Sequence, residues 1–257
     1  MVRCTKPVTA AACLRAKPVS ELAKWSDAGI GSGPTVGGGF LPVSPERAFA
    51  TGHFNRVPVM QGTTRDEHHL FTAAIEVAMG EVTTPESYRD QLAALFRPAD
   101  LQRVLARYPV AKFHSAGEAL STVVTDWAWG CPAEDRDRAL AAHTPVYAYE
   151  FADETAPWFS TLPKPNFPTG AFHGAELQYL FDDEQLPGPR TPAQQQLSQT
   201  MISYWTQFAA TGNPNGNNQP RWMPFQHNGW VQSLATPITQ TNRTTTHQCT
   251  FWKTINS

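Results

Sequence analysis

Apolar residues recur at intervals of three and four along several stretches of this chain, and they alternate in one. The clearest helix spans residues 193–211, where Leu197, Met201, Tyr204, Trp205 and Phe208 share a face. It stops at Gly212-Asn213-Pro214-Asn215-Gly216, a run that breaks regular structure. Upstream, Leu70, Phe71, Ala74, Ile75 and Ala78 predict a helix with these residues on one face. Two short helices are expected over 85–108, an apolar helix over 117–130 ending at Gly130-Cys131-Pro132, and another over 134–142. Near the start, Leu14, Val19, Leu22 and Trp25 recur at helical spacing, with Pro18 and Ser20 where a helix would begin. Residues 57–62 read as a short buried strand and 145–151 alternate like a strand. One or two more strands are expected over 229–252, before Phe251-Trp252. A Gly/Pro-rich loop covers 27–46, and a proline-rich loop covers 152–172. Few strands, many helices and long loops predict an α/β fold with no visible interdomain linker.

Composition narrows the class. Hydrophobic residues make up 41% of the 257 and charged residues 16%, which is ample for a core and argues against disorder. The 22 prolines are well above the usual share and predict a loop-rich surface. Net charge is −2 and no basic block appears, so neither nucleic acid nor an anionic membrane surface is implied. No apolar run approaches the roughly 20 residues of a membrane helix. Met1-Val2-Arg3-Cys4-Thr5-Lys6 leads into no apolar segment of the signal-peptide kind. Four cysteines, at 4, 13, 131 and 249, allow three pairings; four buried free thiols are an equally open reading.

Two clusters carry candidate chemistry. Asp66-Glu67-His68-His69 follows the first buried strand, where α/β folds place catalytic groups. The acidic pair also suits the first turn of a helix. A metal set of Glu67, His68 and His69 is disfavoured, because neighbours on a helix point apart. The second cluster is Gly170-Ala171-Phe172-His173-Gly174-Ala175-Glu176. Small residues around His173 leave room for a substrate, and imidazole is the usual general base near neutral pH. It also reads as an ordinary surface histidine. A metal pair of His173 and Glu176 has no completing partner at a recognisable spacing. No Gly-x-Ser-x-Gly is present; Gly29-Ile30-Gly31-Ser32-Gly33 and Ser115-Ala116-Gly117 do not fit that elbow.

Together these strings resemble the type B carboxylesterase family, which includes the cholinesterases, and its bacterial members in particular. Val57 to Glu67 looks like the segment bearing the triad acid, and Gly170 to Glu176 like the segment bearing the triad histidine. Met201 to Ala209, Gly212-Asn213-Pro214-Asn215 and Trp222-Met223-Pro224 are similar to the family's late helix and turn. They occur in the family's order over nearly the whole chain. The one departure at the acid is His68, where many members have Gly.

The resemblance implies an α/β-hydrolase fold with triad order serine, acid, histidine. Residues 1–257 then look like the C-terminal half of one such domain, lacking the nucleophile elbow and oxyanion loop; Gly37-Gly38-Gly39 has no preceding His and is no substitute. The implied function is carboxylic ester hydrolysis, with Glu67 and His173 as acid and base and Asp66 and Glu176 in support. The partners implied are a small-molecule ester and a separately encoded N-terminal half; no cofactor or metal is called for. The alternative is a non-catalytic binding module on the same scaffold. The family pattern pairs Cys4 with Cys13 and Cys131 with Cys249, which implies an oxidising compartment and a secreted full-length protein; the chain expressed as it stands would be cytoplasmic. A cationic His68 would act on Glu67. Trp127, Trp158 and Phe172 are core residues or walls of an ester pocket.

Overall fold

The computed structural model describes residues 4–6, 8–24, 35–182 and 184–255. Two compact units are resolved, residues 1–48 and 49–257. In the first, two short helices, α1 (Ala10–Arg15) and α2 (Val19–Ala23), stand where one was expected. Pro18, extended at φ −58° and ψ 141°, separates them. Neither buries a residue, and Val19 is 80% exposed, so the spacing of apolar positions marks no packed face. A disulfide joins Cys4 to Cys13. Trp25 and the Gly29–Gly33 string lie outside the described residues. α3 (Pro45–Thr51) follows.

The second unit is built on a four-stranded sheet in the order β1-β2-β3-β4: Val59–Thr64, Val146–Phe151, Trp230–Leu234 and Thr239–Asn242. β1, β2 and β3 are parallel, and β4 is antiparallel to β3. β1 starts two residues later than its apolar string, because Pro58 has no N–H to give the ladder; Val59 makes the first bond, to Pro145. It runs on through Gly62, where a Cβ would collide with Tyr149 across the ladder.

Along β2 the side chains alternate between the two faces. Tyr147 and Phe151 join the larger core with Phe172, Met201, Tyr204, Trp222 and Leu234. Val146 and Ala148 pack with Leu140, Phe225 and Val231. α9 (Pro192–Thr211) covers the first face and buries Leu197, Met201 and Tyr204. Thr191 accepts from Gln194 N–H at its start, Pro192 occupies the first turn, and Gly212 closes it at φ 73°.

The helices between β1 and β2 are α4 (His69–Met79), α5 (Pro85–Leu95), α6 (Pro98–Arg107), α7 (Ala116–Val124) and α8 (Cys131–Ala141). α5, α6 and α7 enclose a second core with Tyr88, Leu92, Val104, Tyr108, Val123 and Trp252. One expectation is corrected here. The helix over 117–130 does not stop at Cys131-Pro132. A π-helical turn over Thr125–Gly130 joins α7 to α8, and Pro132 falls in the first turn after it, where its missing N–H costs little. α4 leaves most of its apolar stripe exposed, with Leu70 alone of the five packed against the main core. It buries His69, Thr72, Ala73 and Glu76 and leaves Ile75 56% and Met79 70% exposed. Its buried Glu76 accepts from the Thr83 N–H, so a polar anchor outweighs the apolar stripe.

After β4 come α10 (Arg243–Thr246) and α11 (Cys249–Trp252). Cys249 bridges Cys131 and so ties the chain's last helix to the start of α8.

Candidate active site

The site is assembled at the carboxyl end of β1. Past Thr64 the chain turns through Arg65–His68 into α4. The Thr64 N–H donates to Glu67 Oε1 at 2.8 Å, which folds the carboxylate back over the strand end. Glu67 is only 5% exposed, and its Oε2 lies 2.5 Å from His173 Nδ1. A carboxylate oxygen accepts, so Nδ1 carries the proton and Nε2 is left as the basic nitrogen. The two residues, 106 positions apart in sequence, therefore meet as an acid–imidazole pair.

His173 reaches this place on the long loop after β2. Asp66 fastens that loop at two points: its N–H donates to Ala171 O at 3.0 Å, and its Oδ2 accepts from Ala171 N–H at 2.8 Å. Gly170 passes against the Asp66 carboxylate at φ 60°, where a Cβ would overlap it. Phe172 is fully buried, with its ring 4.7 Å from Trp158, and this anchors the residue before His173.

Electrostatics follow from these contacts. The hydrogen bond to Glu67 raises the His173 pKa above the ordinary imidazole value; partial burial opposes it, and the charges of Glu67 and Glu176 add to it. Burial raises the Glu176 carboxyl, its own backbone N–H lowers it, and the Glu67 charge raises it again. Glu176 has its Oε2 atom buried without a hydrogen-bond partner. It acts on His173 through charge. His68 is pushed down to about 4 by burial and by His69 and His173, so it is uncharged near neutral pH and does not act on Glu67 as a cation.

One side of His173 is walled by aromatic rings. Phe71 lies 5.0 Å and Trp129 5.3 Å from its imidazole, and these two stack at 5.9 Å. His68 sits 5.3 Å beyond Phe71. Neither Phe71 nor Trp129 stood out as a site residue in sequence. Phe71 lies in the first turn of α4, four residues past Glu67. Trp129 is aimed by the π-helical turn, which no periodicity reveals. Of the three aromatics picked from sequence, Phe172 and Trp158 belong to the main core, and Trp127 packs edge-on against Phe96. The metal sets do not form as posed: Glu67 faces His173, and His69 Nδ1 faces the carbonyls of Pro168 and Thr169.

Sequence reading also missed a buried ionic network. His247, 2% exposed, places Nδ1 2.7 Å from Asp126 and Nε2 2.6 Å from Glu150. Tyr108 donates to Asp126, and Trp252 Nε1 donates to the Tyr108 hydroxyl. Arg243 pairs with Asp137 at 2.6 Å close by in sequence to His247. The signal was an acid inside the apolar string Thr122-Val123-Val124-Thr125-Asp126-Trp127, and another on an inward position of β2.

Comparison with known proteins agrees with this arrangement. Residues 1–252 match the model of the carboxylesterase family. Carboxylesterase 1E of Mus musculus is 29% identical over 231 residues, covering 85% of this chain and 40% of the mouse protein. Carboxylesterase 1C of Rattus norvegicus is 28% identical over 262 residues, covering 93% of this chain and 45% of the rat protein. The chain thus spans less than half the length of these curated relatives. Within those bounds, a sheet with the acid after one strand and the histidine after the next, and a match over nearly every residue, place this chain in the carboxylesterase family.

Proposed function

We propose that this chain supplies the acid and the base of a carboxylic ester hydrolase, and that the serine comes from sequence outside it, the present residues being the C-terminal half of the domain. The observation that carries the reading is the 2.5 Å contact between Glu67 Oε2 and His173 Nδ1. His173 Nε2 takes the proton of the serine hydroxyl as it attacks the ester carbonyl. The same nitrogen returns that proton to the leaving alcohol. Glu67 holds the imidazole in the Nδ1–H tautomer and balances the positive charge that forms. Asp66 sets the histidine loop, and Glu176 adds negative potential. A non-catalytic binding module has no need of so aligned a pair, which favours the enzyme. The substrate is a small ester, and no cofactor enters the scheme.

The two disulfides support a protein that matures in an oxidising compartment, and so a secreted full-length form. No helix among the described residues is long and apolar enough to cross a membrane. The test is to sequence the DNA upstream of the Met1 codon and express the whole reading frame. A Gly-x-Ser-x-Gly serine labelled by a fluorophosphonate, and unlabelled in His173→Ala, supports the reading. Unrelated upstream sequence and no labelling refute it.

A further inference from the structure

The proline-rich loop that carries His173 has no strand or helix between Ala152 and Phe172, and a single parallel bridge of Phe172 with Asp66 ties its far end to the turn after β1. Tyr179, Gln194 and Gln178 hold its first part at Asp153, Thr155 and Pro157, and the short stretch from Arg65 to His69 holds it at several points along its length. Arg65 Nη1 binds Glu154 at 2.6 Å, at the loop's beginning. Asp66 holds Ala171 at both backbone groups. Glu67 holds His173. His69 holds the middle: its Nδ1 lies 3.0 Å from Pro168 O and 3.2 Å from Thr169 O. Carbonyl oxygens only accept, so Nδ1–H donates to both. The His69 ring is 4% exposed and stands edge-on to Phe167 at 5.4 Å.

We propose that His69 is a positioning residue for His173, fixing with Asp66 the register between the Glu67 turn and the histidine loop. This rests on the Glu67–His173 pair proposed above. The reasoning is geometric. His69 opens α4 two residues after Glu67, so the acid and the clamp sit next to each other at the turn into that helix. His69 grips the loop four and five residues before His173, just before the Gly170 bend. Losing that grip lets the loop swing about the Asp66 clasp, and a shift of about 1 Å at His173 is enough to spoil a proton-transfer geometry. The Asp66-Glu67-His68-His69 string is then not a ligand set. Each residue in it has a separate task, and His69 serves the imidazole 104 positions away without touching it.

The test uses the 257-residue chain, isotopically labelled at histidine, with the ring nitrogens followed by NMR across pH. His69→Phe keeps the ring against Phe167 and removes the donor. His69→Asn returns an N–H near the Nδ1 position. The expected result is that His173 titrates above the ordinary imidazole value in the wild type and in His69→Asn. It falls back toward the ordinary value in His69→Phe, with loss of the low-field Nδ1–H signal. If His69→Phe fails to fold, His69→Leu, which also lacks a donor, carries the same prediction. An unmoved His173 titration in a folded donor-less variant overturns the proposal. The two readings fail separately: absence of serine labelling in the full-length protein strikes the esterase, and an indifferent His173 strikes the clamp alone.

Discussion

At the scale of single residues, two histidines divide the electrostatic labour of this chain. His173 is half open and paired on one nitrogen; His247 is sealed and paired on both. Burial alone would push His247 down, but the charges and hydrogen bonds of Glu150 and Asp126 outweigh it and hold the group at about 10. The imidazolium is thus favoured by folding. The stability it contributes is full below about pH 6.5 and drains away as pH rises toward about 10. Melting followed from pH 6 to 10 is expected to show this alkaline loss, and His247→Gln to flatten it. At neutral pH the same variant is expected to cost about 3–5 kcal/mol, because it strands buried carboxylates. A variant that melts with the wild type would contradict the network. Glu67 and His173 were legible as residues, since each stands in a string whose types suit the chemistry. Their pairing was implied only by the family resemblance, and the His247 network by nothing, because no local pattern records a meeting across about a hundred residues.

At the scale of elements, α4 shows why pattern and packing part company. Five apolar positions at helical spacing marked the element correctly, but the side it buries is largely polar. The polar anchors Glu76 and His69 turn inward, where the Thr83 N–H and the carbonyls of Pro168 and Thr169 find partners in them. Ile75 and Met79 are left in water. Ile75→Lys with Met79→Lys is therefore expected to change stability by less than about 0.5 kcal/mol each, while lowering the fluorescence of a bound hydrophobic dye. A loss above about 2 kcal/mol would mean the face is packed after all. α9 is the opposite case: cap, apolar stripe and stop signal agree, and the helix forms within one residue of its expected bounds. The strand starts were displaced by Pro58, and the join of α7 to α8 by a π-turn. Both depend on hydrogen-bond geometry that residue types only hint at. Among the described residues β1 is paired on one side only, by β2, which leaves a strand edge beside the proposed acid.

At the scale of the molecule, the Cys131–Cys249 bridge closes 118 positions and holds the C-terminal helix against the helical core. In the loop-entropy model such a closure contributes about 4–5 kcal/mol. Cys131→Ser with Cys249→Ser is expected to lower stability by about that amount in denaturant titration, and a change below about 1 kcal/mol would show that the bridge adds little. Family membership was legible from ordered strings near Glu67, His173 and Trp222. The aromatic wall of Phe71 and Trp129 was not, since it is built by three elements at once.

The central claim is that Glu67 and His173 work as a pair in ester hydrolysis. The most direct measurement is the kcat of the complete reading frame on p-nitrophenyl acetate, with Glu67→Gln and His173→Ala beside the wild type. The account predicts measurable hydrolysis that falls by roughly 10⁴-fold in either variant, with the His173 pKa dropping in Glu67→Gln as its largest raising contact is weakened. Hydrolysis that persists undiminished in both variants would contradict it.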